Sequence, residues 1–132
     1  MTLLAVGRLR APFADDVAHY EKLLSRYVRL ETIEVDDEAK VARRVPERAH
    51  VVLLDERGRQ RSSEGLAQWL EGRRQSGRDL ALVIGGPYGV DVAHDEQLSL
   101  GPITLPFQLC RVVVLEQLYR AHKILAGEPY HH

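Results

Sequence analysis

The stretch Leu82-Val83-Ile84-Gly85-Gly86-Pro87-Tyr88-Gly89 decides the fold, because an apolar run passes directly into three glycines and a proline. A short apolar run bounded by glycine and proline is typical of a fully buried strand. In open α/β sheets, ligands bind beyond the carboxyl ends of the strands, and glycine lets the backbone approach a ligand closely. The stretch therefore predicts a buried strand that ends in a ligand-binding loop, although a tight turn without a ligand fits the same residues.

Two other segments are candidates to meet this loop. Val52–Asp55 ends an apolar run in the same manner, and Leu98–Pro106 is an apolar run that Gly101 and Pro102 interrupt. A strand carrying Gly-Pro is weakened, so we expect a bent segment whose exposed backbone groups read the edge of a base such as adenine. The glycine loop lacks the lysine and Ser/Thr of a P-loop and the spacing of a dinucleotide fingerprint, which favours a ligand without phosphates.

Short apolar runs alternate with helical patterns along the rest of the chain, which indicates an α/β protein with a mostly parallel sheet. Strands are predicted at residues 2–7, 30–35, 50–55, 79–84 and near 99–105. Helices are predicted at residues 14–27, 38–48, 63–75 and 106–126. Residues 56–60, ERGRQ, are predicted to form a polar turn. A chain of 132 residues without an internal linker is expected to form one domain.

Composition excludes several classes of protein. The 18 Lys and Arg against 19 Asp and Glu do not give the basic footprint of a protein that holds nucleic acid mainly through phosphate neutralisation. Arginines nevertheless cluster at residues 43–48, 57–61 and 73–78. Such clusters are either solvated surfaces or local contacts to RNA. A single cysteine, Cys110, rules out an internal disulfide and a cysteine-paired zinc site. Apolar runs are too short for a membrane span or a secretory signal, so we expect a cytoplasmic protein without a metal.

The last predicted helix carries a polar face. Glu116 and Arg120 are spaced i,i+4, with Tyr119 and Lys123 beside them. Ordinary side-chain pairing on an exposed helix accounts for this spacing as well as a functional site does. Cys110, on the apolar side, is interpreted as a small buried hydrophobic residue without a chemical role.

Several motifs occur in one order over nearly the whole chain. They are LLAVGR at residues 3–8, VLLDERG at 52–58, IGGPYG at 84–89, ITLP at 103–106, LEQLYRA at 115–121 and PYHH at 129–132. Together they resemble the family of methyltransferases that modify the N3 position of a pseudouridine in large-subunit (23S) ribosomal RNA. The resemblance implies a single SPOUT methyltransferase domain over residues 1–132, with a parallel sheet and a C-terminal trefoil knot. It also implies a cytoplasmic homodimer that uses S-adenosylmethionine and acts on assembled ribosomes.

The resemblance also assigns site residues. The positions that match the family's cofactor site are Leu54, Gly85, Leu100, Gly101, Pro102, Ile103, Thr104 and Leu105. The candidates for organising and deprotonating the substrate nucleotide are Glu116, Arg120, Tyr130 and His131, with His131 preferred over Glu116 as the base. Relatives commonly carry a basic residue where this chain ends in His132, so the role of His132 stays open.

Two other functions fit the same motifs. One is SPOUT methylation of another RNA such as tRNA, and the other is a non-catalytic dimer that binds RNA or assists ribosome assembly. Substrate profiling separates the first from ribosomal RNA methylation, and a failure to bind S-adenosylmethionine would favour the second.

Overall fold

One five-stranded sheet organises the part of the chain that the computed structural model describes, residues 1–86 and 89–130. Its strands are β1 (Thr2–Val6), β2 (Glu31–Val35), β3 (His50–Gln60), β4 (Leu80–Ile84) and β5 (Glu96–Ser99). They lie in the order β2-β1-β4-β3-β5, and every neighbouring pair is parallel. The predicted α/β class with a parallel sheet is therefore confirmed.

Four helices connect the strands and cover the sheet. They are α1 (Phe13–Leu24), α2 (Val41–Arg44), α3 (Ser63–Gln75) and α4 (Phe107–Leu125), and a 3-10 turn at Glu38–Lys40 precedes α2. The bounds of α3 match the prediction, because Ser62 caps its first turn by accepting a hydrogen bond from the Gly65 N–H. In the described residues, no helix combines the length and apolar character needed to cross a bilayer.

The core lies on both faces of β4, which is buried along its whole length. Successive strand residues point to opposite faces. Leu82 therefore packs with residues of α1, α3 and α4, whereas Val83 packs with Val41 of α2 on the other face. Because both of its faces are buried, this strand is a continuous apolar run. The chain leaves the core at the carboxyl end of β4.

The prediction of a turn at residues 56–60 is wrong, because β3 continues to Gln60. Leu98 of β5 is paired first with Leu54 and again with Arg59, so the intervening residues 55–58 leave the ladder as a bulge loop. Gly58 makes this possible: a β-carbon there would lie 2.7 Å from the backbone of Gln97 and Leu98. The pairing partner β5 is distant in sequence, and no local pattern in a polar segment reveals it.

The prediction of a fifth strand near residues 99–105 is wrong in its placement, because β5 ends where that range begins. Ser99 closes the strand with a local turn in which its hydroxyl donates to the Gly101 carbonyl and accepts from the Gly101 N–H, each at 3.0 Å. Gly101 has a φ of +126°, and Pro102 has no N–H to give a ladder. Residues 100–106 therefore form an irregular segment that leads into α4.

Candidate functional site

A cavity of about 540 Å³ opens at the carboxyl edge of the sheet, beside the ends of β3 and β4. It is lined by residues 53–57, 84–86, 89–90, 100–101, 103–105, 107 and 110. Three separate stretches of sequence thus meet at one place: the bulge loop of β3, the glycine loop after β4, and the irregular segment that enters α4. Parallel strands end at the same edge, and this is the reason why the three stretches come together.

The structure gathers most of the residues that the sequence nominated for a cofactor. The lining includes Leu54, Gly85, Leu100, Gly101, Ile103, Thr104 and Leu105. Pro102 belongs to the same irregular segment but is not among the described residues that line the cavity. Residues separated by up to 51 positions in the sequence therefore form one wall.

The two glycines after β4 leave the space that the cavity needs. A β-carbon on Gly85 would lie 2.9 Å from Cγ2 of Val90, and one on Gly86 would lie 2.5 Å from a carboxylate oxygen of Glu38. Both distances are shorter than β-carbons normally tolerate. A side chain on Gly85 would displace Val90, which lines the cavity, and one on Gly86 would displace Glu38 and Val6 beside it, so the chain faces the cavity with backbone here.

The bulge loop contributes polar residues that sequence reasoning treated only as a strand end. The Asp55 carboxylate accepts hydrogen bonds from Nε and Nη2 of Arg57 at 3.0 and 2.9 Å. This pairing, with the Arg57 N–H also donating to Asp55, lowers the pKa of Asp55 to about 2. Across the cavity mouth, the Thr104 hydroxyl donates to Glu56 at 3.2 Å. The Asp-x-Arg spacing directly after an apolar run was the available signal for this loop.

The wall beside α4 is apolar. Phe107 and Cys110 belong to it, and the Cys110 thiol lies 3.8 Å from the Leu105 carbonyl oxygen. Burial raises the pKa of Cys110, so the thiol stays protonated at neutral pH. Cys110 thus forms a small uncharged part of the wall; it is half-buried at the cavity, whereas the sequence predicted a small buried hydrophobic residue.

A second polar cluster lies near the end of α4. The Glu116 carboxylate accepts from Nη2 of Arg120 at 2.6 Å and, at a longer 3.4 Å, from the hydroxyl of Tyr130. The Arg120 guanidinium also stacks on the Tyr130 ring, 4.2 Å from its centroid. Burial and the Glu116 charge raise the pKa of Tyr130 to about 12. Three of the four nominated substrate residues are therefore in mutual contact, whereas His131 and the neighbouring His132 lie outside the described residues.

This polar cluster and the cavity do not converge within one chain. Cys110 is the last residue of α4 that lines the cavity, and Glu116 lies six positions further along the helix. At a rise of about 1.5 Å per residue, the separation is roughly 9 Å along the helix axis and larger for Arg120. Glu116, Arg120 and Tyr130 are absent from the described residues that line the cavity.

Several of the clustered arginines have internal partners instead of a free surface. Arg61 stacks on Trp69 and pairs with Glu96, and its side chain is only 12% exposed. Arg73 lies 3.0 Å from the His50 ring, and Arg78 donates to backbone carbonyls before β3. Arg73 thus ties α3 to the amino end of β3, Arg61 contacts α3 and the first residue of β5, and Arg78 ties the segment after α3 to the residues before β3. No group of three or more potential metal ligands occurs in the described residues.

Comparisons with known proteins cover nearly the whole chain. Residues 1–131 match a family model described as a predicted SPOUT methyltransferase. A protein of Stenotrophomonas maltophilia (strain R551-3) named ribosomal RNA large subunit methyltransferase H is 46% identical over 98% of this chain and 96% of its own length. Proteins of the same name from Xanthomonas campestris pv. campestris (strain B100) and Xanthomonas oryzae pv. oryzae (strain PXO99A) are 46% and 45% identical, with the same coverage.

Proposed function

The chain belongs to the SPOUT methyltransferase family, and on this premise we propose that it methylates the N3 position of a pseudouridine in large-subunit ribosomal RNA, with S-adenosylmethionine as the methyl donor. The observation that carries the proposal is the cavity at the carboxyl edge, where seven of the residues nominated for the cofactor line one wall. The relatives named ribosomal RNA large subunit methyltransferase H support the choice of substrate, because they match almost end to end.

The cavity suits S-adenosylmethionine in size and in chemistry. Pockets for ligands of this size measure about 300–1,000 Å³, which includes the observed 540 Å³. The wall offers glycine backbone on one side and Phe107, Cys110 and Leu105 on the other, and it has no P-loop lysine. Such a wall accommodates an uncharged adenine ring, whose edge the backbone of residues 100–105 would read. When bound, the cofactor supplies a methyl group activated by a positively charged sulfur.

The main task of the protein is then to position the nucleotide. Holding two reactants in near-attack geometry lowers the barrier by about 7 to 11 kcal/mol. A general base contributes roughly 10²- to 10⁴-fold in rate, or about 3 to 5 kcal/mol, which is less. The residues assigned to this positioning are Glu116, Arg120 and Tyr130. The Arg120 guanidinium is held by the Glu116 carboxylate and the Tyr130 ring, and this restricts its orientation before a nucleotide binds.

The removal of the N3 proton is assigned to His131. Tyr130 is a poor base, because a pKa of about 12 keeps its phenol protonated at neutral pH. Glu116 is also less suitable, since its carboxylate already accepts hydrogen bonds from Arg120 and from the Gln117 amide. An imidazole has an unperturbed pKa of about 6.5, which matches proton transfer near neutral pH.

A homodimer would bring the two parts of the site together. Because the polar cluster of α4 lies away from the cavity of its own chain, we infer that each cavity receives the cluster and tail of the partner. Ile103 and Phe107, 68% and 37% exposed at the cavity mouth, are apolar enough to belong to such an interface. The proposed unit is one cytoplasmic SPOUT domain over residues 1–132, with the trefoil knot formed by the segment around residues 100–130.

An assembled ribosome is the proposed form of the substrate. A net charge of −1 does not favour binding to free RNA by electrostatics alone. The test is a labelled methyl-transfer assay on large ribosomal subunits that lack the modification, followed by mass spectrometry of the RNA. A methyl group on N3 of a pseudouridine supports the proposal. Transfer to tRNA instead, or no transfer together with no cofactor binding, would replace it with the corresponding alternative.

A further inference from the structure

We propose that the β1 loop, residues 7–12, docks the RNA substrate at the cavity through its two arginines, Arg8 and Arg10, each of which contacts a backbone phosphate. This inference rests on the proposed function, since it names the part of the protein that receives the RNA. Neither arginine belongs to the three arginine clusters that are evident in the sequence.

The position of the β1 loop places it beside the proposed cofactor cavity. It follows β1, whose Ala5 pairs with Ile84 at the end of β4, so it emerges next to the glycine loop. A β-carbon on Gly86 would lie 3.1 Å from Cγ1 of Val6, the residue directly before the β1 loop. On its other side, the loop contacts Gln108, which directly follows the cavity residue Phe107. RNA bound to this loop would therefore lie at the mouth of the cavity.

The backbone of the β1 loop is fixed by side chains from other elements. Gln108 of α4 accepts a hydrogen bond from the Arg10 N–H at 2.7 Å and donates to the Arg8 carbonyl at 3.2 Å. The Leu9 N–H donates to the Glu34 carboxylate at 3.1 Å. These bonds hold the backbone of the β1 loop in place, while Arg8 and Arg10 themselves are exposed.

The Glu34 carboxylate that holds the β1 loop is also paired with an arginine whose side chain is buried. Nη1 of Arg111 lies 2.6 Å from the same Glu34 oxygen that accepts from Leu9, and the Arg111 side chain is only 4% exposed. The pair links α4 to β2 and neutralises Glu34 locally. The carboxylate that contacts the β1 loop therefore does not cancel the charge of the two arginines.

The charges of Arg8 and Arg10 are available to a ligand. Both residues are exposed, and neither side chain has a hydrogen-bond or ion-pair partner within residues 1–86 and 89–130. Arg61 and Arg111, by contrast, are occupied by internal carboxylates. In a protein with a net charge of −1, RNA affinity has to come from local placement of cations, and the β1 loop provides two of them on a fixed backbone. Planar guanidinium groups match phosphate oxygens well.

The test uses full-length protein and large ribosomal subunits that lack the modification. Binding of Arg8→Gln/Arg10→Gln and of the wild type is measured over a series of salt concentrations. Each lost phosphate contact lowers the slope of log affinity against log salt by about 0.7 to 0.9. In the double variant, we expect the magnitude of this slope to be smaller by roughly 1.4 to 1.8. When the salt is raised from about 50 to 200 mM, the affinity of the wild type should therefore fall about 7- to 12-fold more than that of the variant.

The control is Arg29→Gln/Arg48→Gln, which removes the same charge from two exposed arginines that precede β2 and β3 at the opposite edge of the sheet. It is expected to keep the slope of the wild type. S-adenosylmethionine binding, measured by calorimetry, should be unchanged in both variants. An unchanged slope in the Arg8/Arg10 variant, an equal reduction in the control, or no binding of the wild type to the subunits overturns the inference.

Methyl transfer is followed separately in the same samples. Subunits that bind through Arg8 and Arg10 but receive no methyl group would refute the proposed reaction and leave the docking surface standing. Subunits that are methylated with equal efficiency and equal salt dependence by the Arg8/Arg10 variant would refute the docking surface and leave the reaction standing.

Discussion

Replacing Gly85 by valine tests the cofactor cavity most directly. The β-carbon would lie 2.9 Å from Cγ2 of Val90 and 3.6 Å from the Gly89 carbonyl carbon, and valine adds two methyl groups beyond it. Val90 is partly buried and packs against a buried cluster that includes Val83 and Val92, so displacing it would disturb those contacts. Inserting methyl groups into packed space costs about 1 to 3 kcal/mol. If bound cofactor and the new side chain compete for this space, affinity should fall by about 5- to 150-fold.

The assay is calorimetric titration of S-adenosylmethionine, with thermal unfolding measured in parallel to separate a blocked cavity from a lost fold. The matched control is Gly72→Ala on α3, where a β-carbon meets nothing within 4 Å. That control should bind the cofactor normally and gain about 1 kcal/mol of stability. A second variant, Gly85→Ala/Val90→Ala, removes the clash and should recover most of the affinity. Gly85→Val protein that is folded and binds the cofactor as tightly as the wild type would refute the placement of the cofactor.

Three more outcomes are expected. His131→Ala should lower the turnover of methyl transfer by roughly 10²- to 10⁴-fold and leave cofactor affinity unchanged, and equal turnover in a single-turnover assay would remove His131 from the reaction. Gly58→Ala should destabilise the protein by about 1 to 3 kcal/mol in urea unfolding, because the new β-carbon would meet the backbone of Gln97 and Leu98, which cannot rotate away. A loss of stability below about 0.5 kcal/mol would contradict the close approach of β3 and β5. Burial lowers the pKa of His122, so below about pH 6.5 the unfolded chain binds a proton that the folded chain does not, and stability should fall as the pH falls. His122→Phe should flatten this dependence between about pH 8 and 5, and an unchanged dependence would show that another group causes it.

The elements with a strong local signal could be predicted. The bounds of α3 followed from a capping serine and a helical pattern, and β4 followed from an apolar run that ends in glycine. The continuation of β3 to residue 60 could not be predicted, because Arg59 and Gln60 join the sheet only by pairing with β5, almost 40 positions later, and residues 56–58 protrude before them. β5 itself was misplaced, since the apolar character of residues 100–105 serves a cavity wall instead of a strand.

The candidate site shows the same division. Gly85 and the irregular segment could be found because glycine and proline inside an apolar run mark a bend, where the backbone is free to face a ligand. The polar bulge loop with Asp55 and Arg57 was not found, because the role of its residues depends on the ladder from which they protrude. The β1 loop with Arg8 and Arg10 was also overlooked, since two isolated arginines in a sequence of ordinary composition carry no pattern.

By itself, the sequence determined the α/β class, the family and the residues nominated for the cofactor, because apolar periodicity, glycine punctuation and ordered motifs are all local along the chain. Only the tertiary structure decided that three distant segments share one cavity of about 540 Å³, that Arg61 and Arg111 are occupied by internal carboxylates, and that Arg8 and Arg10 are exposed beside the cavity. The physical reason is that burial, pairing and electrostatic environment are set by neighbours in space. Parallel strands bring those neighbours together from positions that no local pattern connects.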